Sequence, residues 1–260
     1  PTGCFASKSV TVNPSPGTIS GNLNVCLGLT STLSDAPTGG TWSSSSTPIA
    51  SVGLTSGIVT GNALGTATIT YTSGGCRAFA TVTVNALPTA IIGATRVCIG
   101  STVTLSDAAV GGTWISSNAN ATAGLTTGDI TGVSAGSLFI TYTLPTGCRA
   151  TRSMTVDPLP APITGSSTVC EGSSTTLSDS PIGGTWISGT TGVATIGLTS
   201  GVVTGVLTGS TVITYTLPVT GCTMTTTISV DPVPSPITGV TSVCIGGSVS
   251  LTDATVGGTW

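Results

Sequence analysis

The phrase Gly-Gly-Thr-Trp recurs four times along the chain, and it constrains the fold more than any other feature. The tryptophans that end it lie 72, 72 and 74 residues apart: Trp42, Trp114, Trp186 and Trp260. A fixed self-similarity of this length indicates one supersecondary unit copied in tandem. Such arrays serve mainly as spacers, fibres or extended binding surfaces, so the period also argues against an enzyme.

Two cysteine series keep the same period. In the first series, each cysteine precedes the tryptophan of the phrase by sixteen residues: Cys26, Cys98, Cys170 and Cys244. In the second, each precedes a proline by twelve: Cys4, Cys76, Cys148 and Cys222. This register predicts a trailing strand of one repeat at 1–13, whole repeats at 14–85, 86–157 and 158–231, and the start of another at 232–260. We therefore expect the sequence to be a window of a longer protein.

Each repeat has the pattern of short β-strands. Residues 66–72 and 81–84 alternate with period two, as strands with one buried face do. Glycine and proline punctuate at short intervals, and no segment shows a helical apolar period over three turns, so we expect essentially no helix. Short strands, regular turns and a tryptophan on the third strand predict tandem immunoglobulin-like β-sandwiches. The predicted core markers are the four tryptophans together with Tyr71, Tyr142 and Tyr215.

These residues also carry a family resemblance. Residues 184–205, from Gly-Thr-Trp-Ile-Ser to Gly-Val-Val-Thr-Gly, lead into Gly-Ser-Thr-Val-Ile-Thr-Tyr-Thr at 209–216. This stretch resembles the group 2 bacterial Ig-like domain, the module of intimin- and invasin-type adhesins. The elements Val-Cys-x-Gly, Thr-Gly-Cys and Asp-Pro-x-Pro resemble repeats in very large surface proteins of Bacteroidota-type bacteria. The resemblance implies an Ig-like fold at a cell surface, and two cysteines per repeat depart from the common module.

Composition excludes several classes of function. Only 5% of the 260 residues are charged, five of them basic, and the net charge is −3. Nucleic acids and anionic membrane surfaces need a basic face, so we expect neither as a partner. No apolar run approaches the roughly 18–20 residues of a membrane span, so we expect no membrane insertion within this sequence.

The cysteines are expected to form disulfides. A repeat of about 72 residues buries only about 60% of its unfolded surface, so it needs stabilisation beyond its core. Evenly spaced cysteines in small β-units indicate disulfides and an oxidising compartment. Zinc is disfavoured because the chain has no histidine and no Cys-x-x-Cys pair.

The sequence leaves three disulfide pairings open. Within a repeat, Cys98 could bond to Cys148; across a joint, Cys76 could bond to Cys98; between neighbours, Cys98 could bond to Cys222. The constant 22-residue spacing favours the joint pairing if the chain reverses there. In a sandwich the first two pairings would join distant points, whereas the neighbour pairing would covalently link successive repeats into a rod.

Other repeated side chains have a structural and a functional interpretation. The aspartates at 35, 107, 179 and 253 fit turn capping better than calcium binding, because calcium takes six to eight oxygen ligands and acids are sparse here. The tryptophans and tyrosines fit a core better than a sugar platform. Outward threonines such as Thr66, Thr68, Thr70 and Thr72, with Thr81 and Thr83, fit a solvated face or sheet association better than ice binding.

Catalysis has little basis in the sequence. There is no histidine for a triad, no adjacent pair of acids and no phosphate-binding glycine loop before a helix. We predict no catalytic, metal or cofactor residues. The predicted function is a disulfide-stabilised extracellular or cell-surface stalk, or a fibre that associates with itself. The alternative is an adhesin whose repeats bind a glycan, a partner protein or ice.

Overall fold

The computed structural model describes residues 3–255 and 258–260, and these residues form strands, turns and bends but no helix. Two compact units divide the chain, Pro1–Val156 and Asp157–Trp260. The predicted all-β class of tandem Ig-like sandwiches is therefore confirmed. Since the described residues contain no helix, they hold none that is long and apolar enough to cross a membrane.

Three sandwiches of seven strands follow one another along the chain. The strands of the first sandwich are β1 (Asn24–Cys26), β2 (Thr30–Thr32), β3 (Thr41–Ser44), β4 (Ala50–Val52), β5 (Ile58–Gly61), β6 (Gly65–Ser73) and β7 (Cys76–Asn85). Those of the second are β8 (Arg96–Cys98), β9 (Thr102–Thr104), β10 (Thr113–Ser116), β11 (Ala121–Ala123), β12 (Asp129–Gly132), β13 (Gly136–Thr143) and β14 (Arg149–Asp157). Those of the third are β15 (Thr168–Cys170), β16 (Ser174–Thr176), β17 (Thr185–Ser188), β18 (Ala194–Ile196), β19 (Val202–Gly205), β20 (Gly209–Thr216) and β21 (Thr223–Asp231).

Each sandwich has one four-stranded and one three-stranded sheet. In the first sandwich the orders are β1-β7-β6-β3 and β2-β5-β4, and the other two repeat this arrangement. The first strand runs parallel to the last, with Cys26 opposite Asn85. The other pairings between these strands are antiparallel. The three sets of strands fall within the predicted ranges 14–85, 86–157 and 158–231.

The core of each sandwich follows from the alternation along its strands. On β6, Ala67, Ile69 and Tyr71 are buried while the threonines between them face outward. Trp42 on β3 packs into the same cluster with 5% of its surface exposed. β-branched residues recur here because they fit a pleated sheet that is buried on one side.

The outer face of the hairpin β6–β7 is largely a grid of threonines, in which Phe79 and Arg77 lie opposite Thr70 and Thr72. Thr66 lies opposite Thr83 and Thr68 opposite Thr81 on the adjacent strand. The equivalent face of the third sandwich pairs Thr214 with Thr225 and Thr216 with Thr223. The face that the sequence pattern predicts is therefore present, and it is rich in hydroxyl groups.

The segments outside the three sandwiches have little strand structure. Residues 3–13 form no strand, in contrast to the trailing strand expected at 1–13, and they are exposed along their length. Pro1 and Thr2 lie outside the described residues. In the partial repeat predicted at 232–260, β22 (Thr238–Gly239) and β23 (Leu251–Thr252) form a two-stranded antiparallel sheet.

Candidate functional site

The two cysteine series lie at opposite ends of a sandwich. At one end, here called the Trp end, Thr41 before the tryptophan lies opposite Thr72, so the loop before β3 and the turn from β6 to β7 are neighbours. The second-series cysteine, Cys76, follows that turn as the first residue of β7. The first-series cysteine, Cys26, ends β1 beside Asn85 at the other end of the sandwich.

A disulfide joins the first repeat to the second. Cys26 bonds to Cys148 with an S–S distance of 2.08 Å and a Cα–Cα distance of 5.6 Å, across 122 residues of sequence. It connects the far end of the first sandwich to the Trp end of the next. Cys98 and Cys222 are disulfide-bonded as well.

This bond decides between the three pairings for these cysteines. Because Cys148 bonds to Cys26, the within-repeat bond from Cys98 to Cys148 is not formed. Because Cys76 is free, the joint bond from Cys76 to Cys98 is not formed either. Cys4, Cys170 and Cys244 are also free thiols. The neighbour pairing is the one present at the first junction.

The course of the chain explains why neighbouring repeats meet in this way. The first sandwich ends at Asn85, beside Cys26. The chain then enters the second sandwich where Ile92 pairs with Ser106, in the loop that leads to Trp114. The far end of the first sandwich therefore adjoins the Trp end of the second, and Cys26 and Cys148 meet there.

Arg152 fixes the entry into the second sandwich. Its guanidinium donates hydrogen bonds to the carbonyls of Ile91 and Gly93, the second at 2.7 Å. A charged donor to a carbonyl is among the stronger hydrogen bonds in proteins. Sequence reasoning missed this role, and the available signal was an arginine placed among the threonines of a strand.

A tilted Trp–Tyr pair, with interplanar angles of 39° to 47°, closes the Trp end of each sandwich. The ring centroids of Trp42 and Tyr71 lie 4.6 Å apart, and the pairs in the other two sandwiches lie at 4.5 and 4.6 Å. The Tyr71 hydroxyl donates to the Pro37 carbonyl at 2.6 Å and accepts from the Gly40 amide at 2.8 Å. The aromatic pair thereby holds the loop before β3, as expected of a core position.

The paired glycines of the repeated phrase have separate roles. The first glycine has positive φ, +90° at Gly39 and +98° at Gly183, a conformation that other residues rarely adopt. The second has no room for a side chain: a Cβ at Gly40 would lie 2.5 Å from the Tyr71 ring. The sequence predicts the turn, and the structure shows that the second glycine is required by the tyrosine.

Trp260 differs from the other three tryptophans. Trp42, Trp114 and Trp186 are each 5% exposed, whereas Trp260 is 79% exposed. The tyrosine partner of a buried tryptophan lies 28 or 29 residues later in each complete repeat. Trp260 has no such residue after it in this sequence, so it does not occupy the core position expected of it.

The repeated aspartates cap the loop before the tryptophan. Asp35 Oδ1 accepts from the amides of Gly17 at 2.8 Å and Ala36 at 2.6 Å, and Asp107 Oδ1 accepts from Thr89 and Ala109. In the partial repeat, Asp253 Oδ1 accepts from the Thr255 amide at 2.7 Å. These contacts fit the capping interpretation.

Buried carboxylate oxygens remain at the three complete sites. Asp35 Oδ2, Asp107 Oδ2 and both oxygens of Asp179 are buried without a hydrogen-bond partner. Burial raises the pKa of Asp179, and the nearby Ser180 and Ala161 amides lower it in part, although neither donates a well-formed hydrogen bond to the carboxylate.

A cavity recurs at the Trp end of each sandwich. Its volume is about 180 Å³ in the first, 410 Å³ in the second and 160 Å³ in the third. Each is lined by the aspartate, the glycine pair, the tryptophan and the tyrosine of its own repeat. These cavities are the recurrent concave sites of the chain.

Among the described residues, the side chains that commonly bind metal ions do not cluster. Within 3–255 and 258–260, no three His, Cys, Asp or Glu side chains lie close enough together to hold a metal ion. The aspartate of each cavity has no second acid beside it in the lining. This geometry offers a small polar pocket in each repeat and a disulfide at the first junction.

Comparison with known proteins supports the domain family for the first repeat. Residues 6–84 match the model of the bacterial Ig-like domain, group 2. The context of very large Bacteroidota proteins stays a prediction. No match was found among curated proteins.

Several solved structures are similar to this chain at low identity. Domains 1-6 of the surface layer protein SbsC share 17% identity and a TM-score of 0.27 over 88% of this chain and 42% of theirs. Invasin, a bacterial integrin-binding protein, shares 16% identity and a TM-score of 0.38 over 89% of this chain and 63% of its own. A C-terminal intimin fragment, in complex with the intimin-binding domain of its receptor, shares 15% identity and a TM-score of 0.32. The match covers 58% of this chain and 67% of the fragment. This chain spans less than half of the surface-layer structure.

Proposed function

We propose that this chain is a non-enzymatic extracellular structural protein, whose tandem Ig-like repeats form a disulfide-stabilised stalk or a surface fibre that associates with itself. The observation that carries the proposal is the Cys26–Cys148 bond between successive repeats. A disulfide between sandwiches adds nothing to a catalytic site, but it restricts their relative motion. That restriction is useful in a protein that spans distance.

The disulfides also support the proposed location. Structural disulfides form and persist in oxidising compartments, and they are rare in the cytosol of mesophiles. Cys148 is fully buried and Cys222 is 1% exposed, which protects both sulfurs from reductants. We place the protein outside the cell or on a bacterial cell surface.

In the proposed stalk, two covalent connections and one anchoring contact limit motion at the first junction. The backbone crosses it through residues 86–91, where Pro88 limits rotation. The disulfide crosses it a second time, and Arg152 holds the incoming segment against β14. Two covalent connections between the same two bodies restrict bending more than one linker does.

By the repeat register, we assign Cys98 and Cys222 to the next junction. These residues follow Cys26 and Cys148 by 72 and 74 residues, and each is disulfide-bonded. The test is a digest of the unreduced chain, with the linked peptides identified by mass spectrometry. Linked peptides carrying Cys26 with Cys148 and Cys98 with Cys222 support the stapled stalk, and a Cys98–Cys148 peptide contradicts it.

Association between copies is the fibre form of the proposal. The outward threonine grids carry few charges, so like-charge repulsion does not keep two such faces apart. Negative-stain electron microscopy of the purified chain at rising concentration tests this point. Ordered filaments or bundles support a fibre, whereas isolated threads at every concentration leave only the stalk.

An adhesin is the second candidate, favoured by the recurrent cavities. Each is lined by an aspartate with a buried oxygen that lacks a hydrogen-bond donor. A ligand hydroxyl would satisfy that oxygen once a shift of the lining exposes it. A glycan array probed with the whole chain tests this function. Saturable binding that is lost when Asp107 is changed to Asn supports an adhesin, and binding to no glycan counts against this ligand class.

A further inference from the structure

We infer that Cys76 and Cys170 are two open halves of the junction that Cys26 and Cys148 complete, and that each forms a disulfide with a cysteine of the opposite series on another repeat of this kind. The inference rests on the proposed stalk function only in requiring an oxidising compartment. It adds a covalent attachment site at each of two repeats and names its partner.

The surroundings of Cys170 reproduce those of Cys26. Each cysteine ends the first strand of its sandwich and pairs in parallel with the last residue of the final strand, Asn85 or Asp231. Three equivalent hydrogen bonds hold the turn that follows. They run from Leu27 N to Asn85 O, Gly28 N to Gly61 O and Leu29 N to Cys26 O in the first repeat, and from Glu171 N to Asp231 O, Gly172 N to Gly205 O and Ser173 N to Cys170 O in the third.

Cys170 is therefore presented by the same backbone frame that presents a bonded cysteine. Its thiol is exposed and free. A Trp end that fits against the turn after Cys26 meets the same main-chain arrangement after Cys170. The partner that this frame accepts is a second-series cysteine.

Cys76 is the complementary half. Like Cys148, it directly follows the glycine that ends the turn before the last strand of its sandwich, and this turn lies at the Trp end. The bonded Cys148 is fully buried, whereas the free Cys76 remains partly exposed. Burial of this position thus accompanies the arrival of a neighbouring repeat, and the partner of Cys76 is a first-series cysteine.

The bond-forming step needs a two-electron oxidant, which a small-molecule disulfide supplies. The Cys76 thiolate attacks one sulfur of oxidised glutathione, forms a mixed disulfide and releases one glutathione thiolate. The Cys170-type thiolate then attacks the Cys76 sulfur and releases the second. Two cysteine thiols are oxidised to one disulfide, and one oxidised glutathione is reduced to two thiols.

Two triple variants of the whole chain, each left with one free thiol, test the complementarity. One keeps Cys170 as its free thiol through Cys4→Ser, Cys76→Ser and Cys244→Ser, and the other keeps Cys76 through Cys4→Ser, Cys170→Ser and Cys244→Ser. One variant is isotopically labelled so that the three possible dimers differ in mass. The two variants are mixed in equal amounts with oxidised glutathione, and the dimers are separated without reductant. We expect the mixed dimer to exceed either homodimer by about tenfold, against the roughly twofold excess of random thiol pairing.

Protein isolated from the cell that produces it shows whether the partner cysteine lies on another chain or on another repeat of the same chain. There, a disulfide to a repeat of another chain lowers mobility on an unreduced gel, and one to a repeat of the same chain does not. A peptide map of that protein then shows Cys170 joined to a second-series cysteine in either case. Random pairing of the two variants, or Cys170 found as a thiol or joined to a first-series cysteine, overturns the inference. The Cys26–Cys148 bond and the stalk proposal stand independently of that result.

Discussion

At the scale of single residues, small groups at the Trp end set the geometry of each repeat. A glycine without space for a Cβ lets the tyrosine ring approach the backbone, and the tyrosine hydroxyl then bridges an amide and a carbonyl of the same loop. The recurrence of Gly-Gly-Thr-Trp in the sequence follows from this contact. Its tryptophan supplies the apolar surface on which the tyrosine packs.

Replacing the second glycine should destabilise the repeat that contains it. In Gly184→Ala, the new Cβ would lie 2.4 Å from the Tyr215 ring and 2.5 Å from the Thr216 carbonyl. Neither atom can move freely, so we expect the free energy of unfolding to fall by about 1–3 kcal/mol, as for overpacked cores. Urea unfolding followed by tryptophan fluorescence measures it.

Gly192→Ala is the matched control in the same repeat. A Cβ at Gly192 meets nothing within 4 Å, so its unfolding midpoint should stay close to that of the parent chain. Equal midpoints for the two variants would contradict the steric role of Gly184.

Asp179 should give the third repeat a pH-dependent stability. Burial raises the pKa of this carboxyl in the folded state, so its contribution is fully present below the unfolded pKa and is lost as pH rises through the folded pKa. The parent chain should therefore lose stability as pH rises from acidic to neutral, and Asp179→Asn should abolish this loss. Chemical unfolding at several pH values from about 3 to 7 measures it.

Asp129 provides a control of opposite sign. Hydrogen bonds from Thr104 and then Thr127 lower its pKa, so its contribution is present above the unfolded pKa and is lost as pH falls through the folded pKa. The parent chain should lose the contribution of Asp129 as pH falls, and Asp129→Asn should abolish that loss. The same direction of change in both variants would show that charge burial at Asp179 is not the cause.

At the scale of strands and sheets, alternation decides which side chains are buried. Period-two patterns predict the outward threonines and the inward Ile69 and Tyr71, because a strand points successive side chains to opposite faces. The same reasoning predicts a tryptophan on the third strand. It cannot assign the role of Arg152, since this side chain acts through the backbone of a segment that precedes its strand by about 60 residues.

Removing the Arg152 side chain should loosen the entry segment of the second sandwich. Arg152→Ala deletes the donors to the Ile91 and Gly93 carbonyls. Because hydrogen bonds from charged groups contribute about 1.5–3 kcal/mol each, we expect a loss of roughly 2 kcal/mol after water replaces part of them. Hydrogen exchange of the amides near residues 91–93 should also accelerate.

Arg149→Ala serves as the comparison on the same strand, because this side chain is exposed at the start of β14. Its effect should stay within about 0.5 kcal/mol, as for ordinary surface sites. A loss as large as that of Arg152→Ala would indicate a general effect of charge on the strand.

At the scale of the whole molecule, the sequence period predicts the repeats but leaves their disulfide connections open. Spacing alone leaves Cys76, Cys148 and Cys222 as open candidates for the partner of Cys98, because pairing depends on which ends of the sandwiches adjoin. That arrangement depends on where the chain leaves one sandwich, beside Cys26, and where it enters the next, at Ile92. Such relations between distant positions are not encoded in local patterns.

Loss of the Cys26–Cys148 bond should destabilise the first two repeats. The bond closes a loop of 122 residues, for which the chain-entropy relation gives about 5 kcal/mol. The double variant Cys26→Ser with Cys148→Ser should therefore unfold at a lower denaturant concentration. Differential scanning calorimetry under non-reducing conditions measures the corresponding shift in Tm.

Cys76→Ser is the control for that variant, since Cys76 is a free thiol. It should leave the transition unchanged in the monomeric chain. If the double variant behaved like this control, the bond would contribute to connectivity without adding stability.

The position of the Cys26–Cys148 bond also determines how the chain bears a pulling force. Tension that reaches Cys26 passes through the sulfur pair to Cys148, so residues 27–147 carry none of it along the backbone. At ~3.4 Å per residue, roughly 400 Å of potential extension is withheld while the bond is intact. Most of the first two sandwiches thus lies outside the load path, and reducing one covalent bond would return that length to the chain as a reserve against rupture.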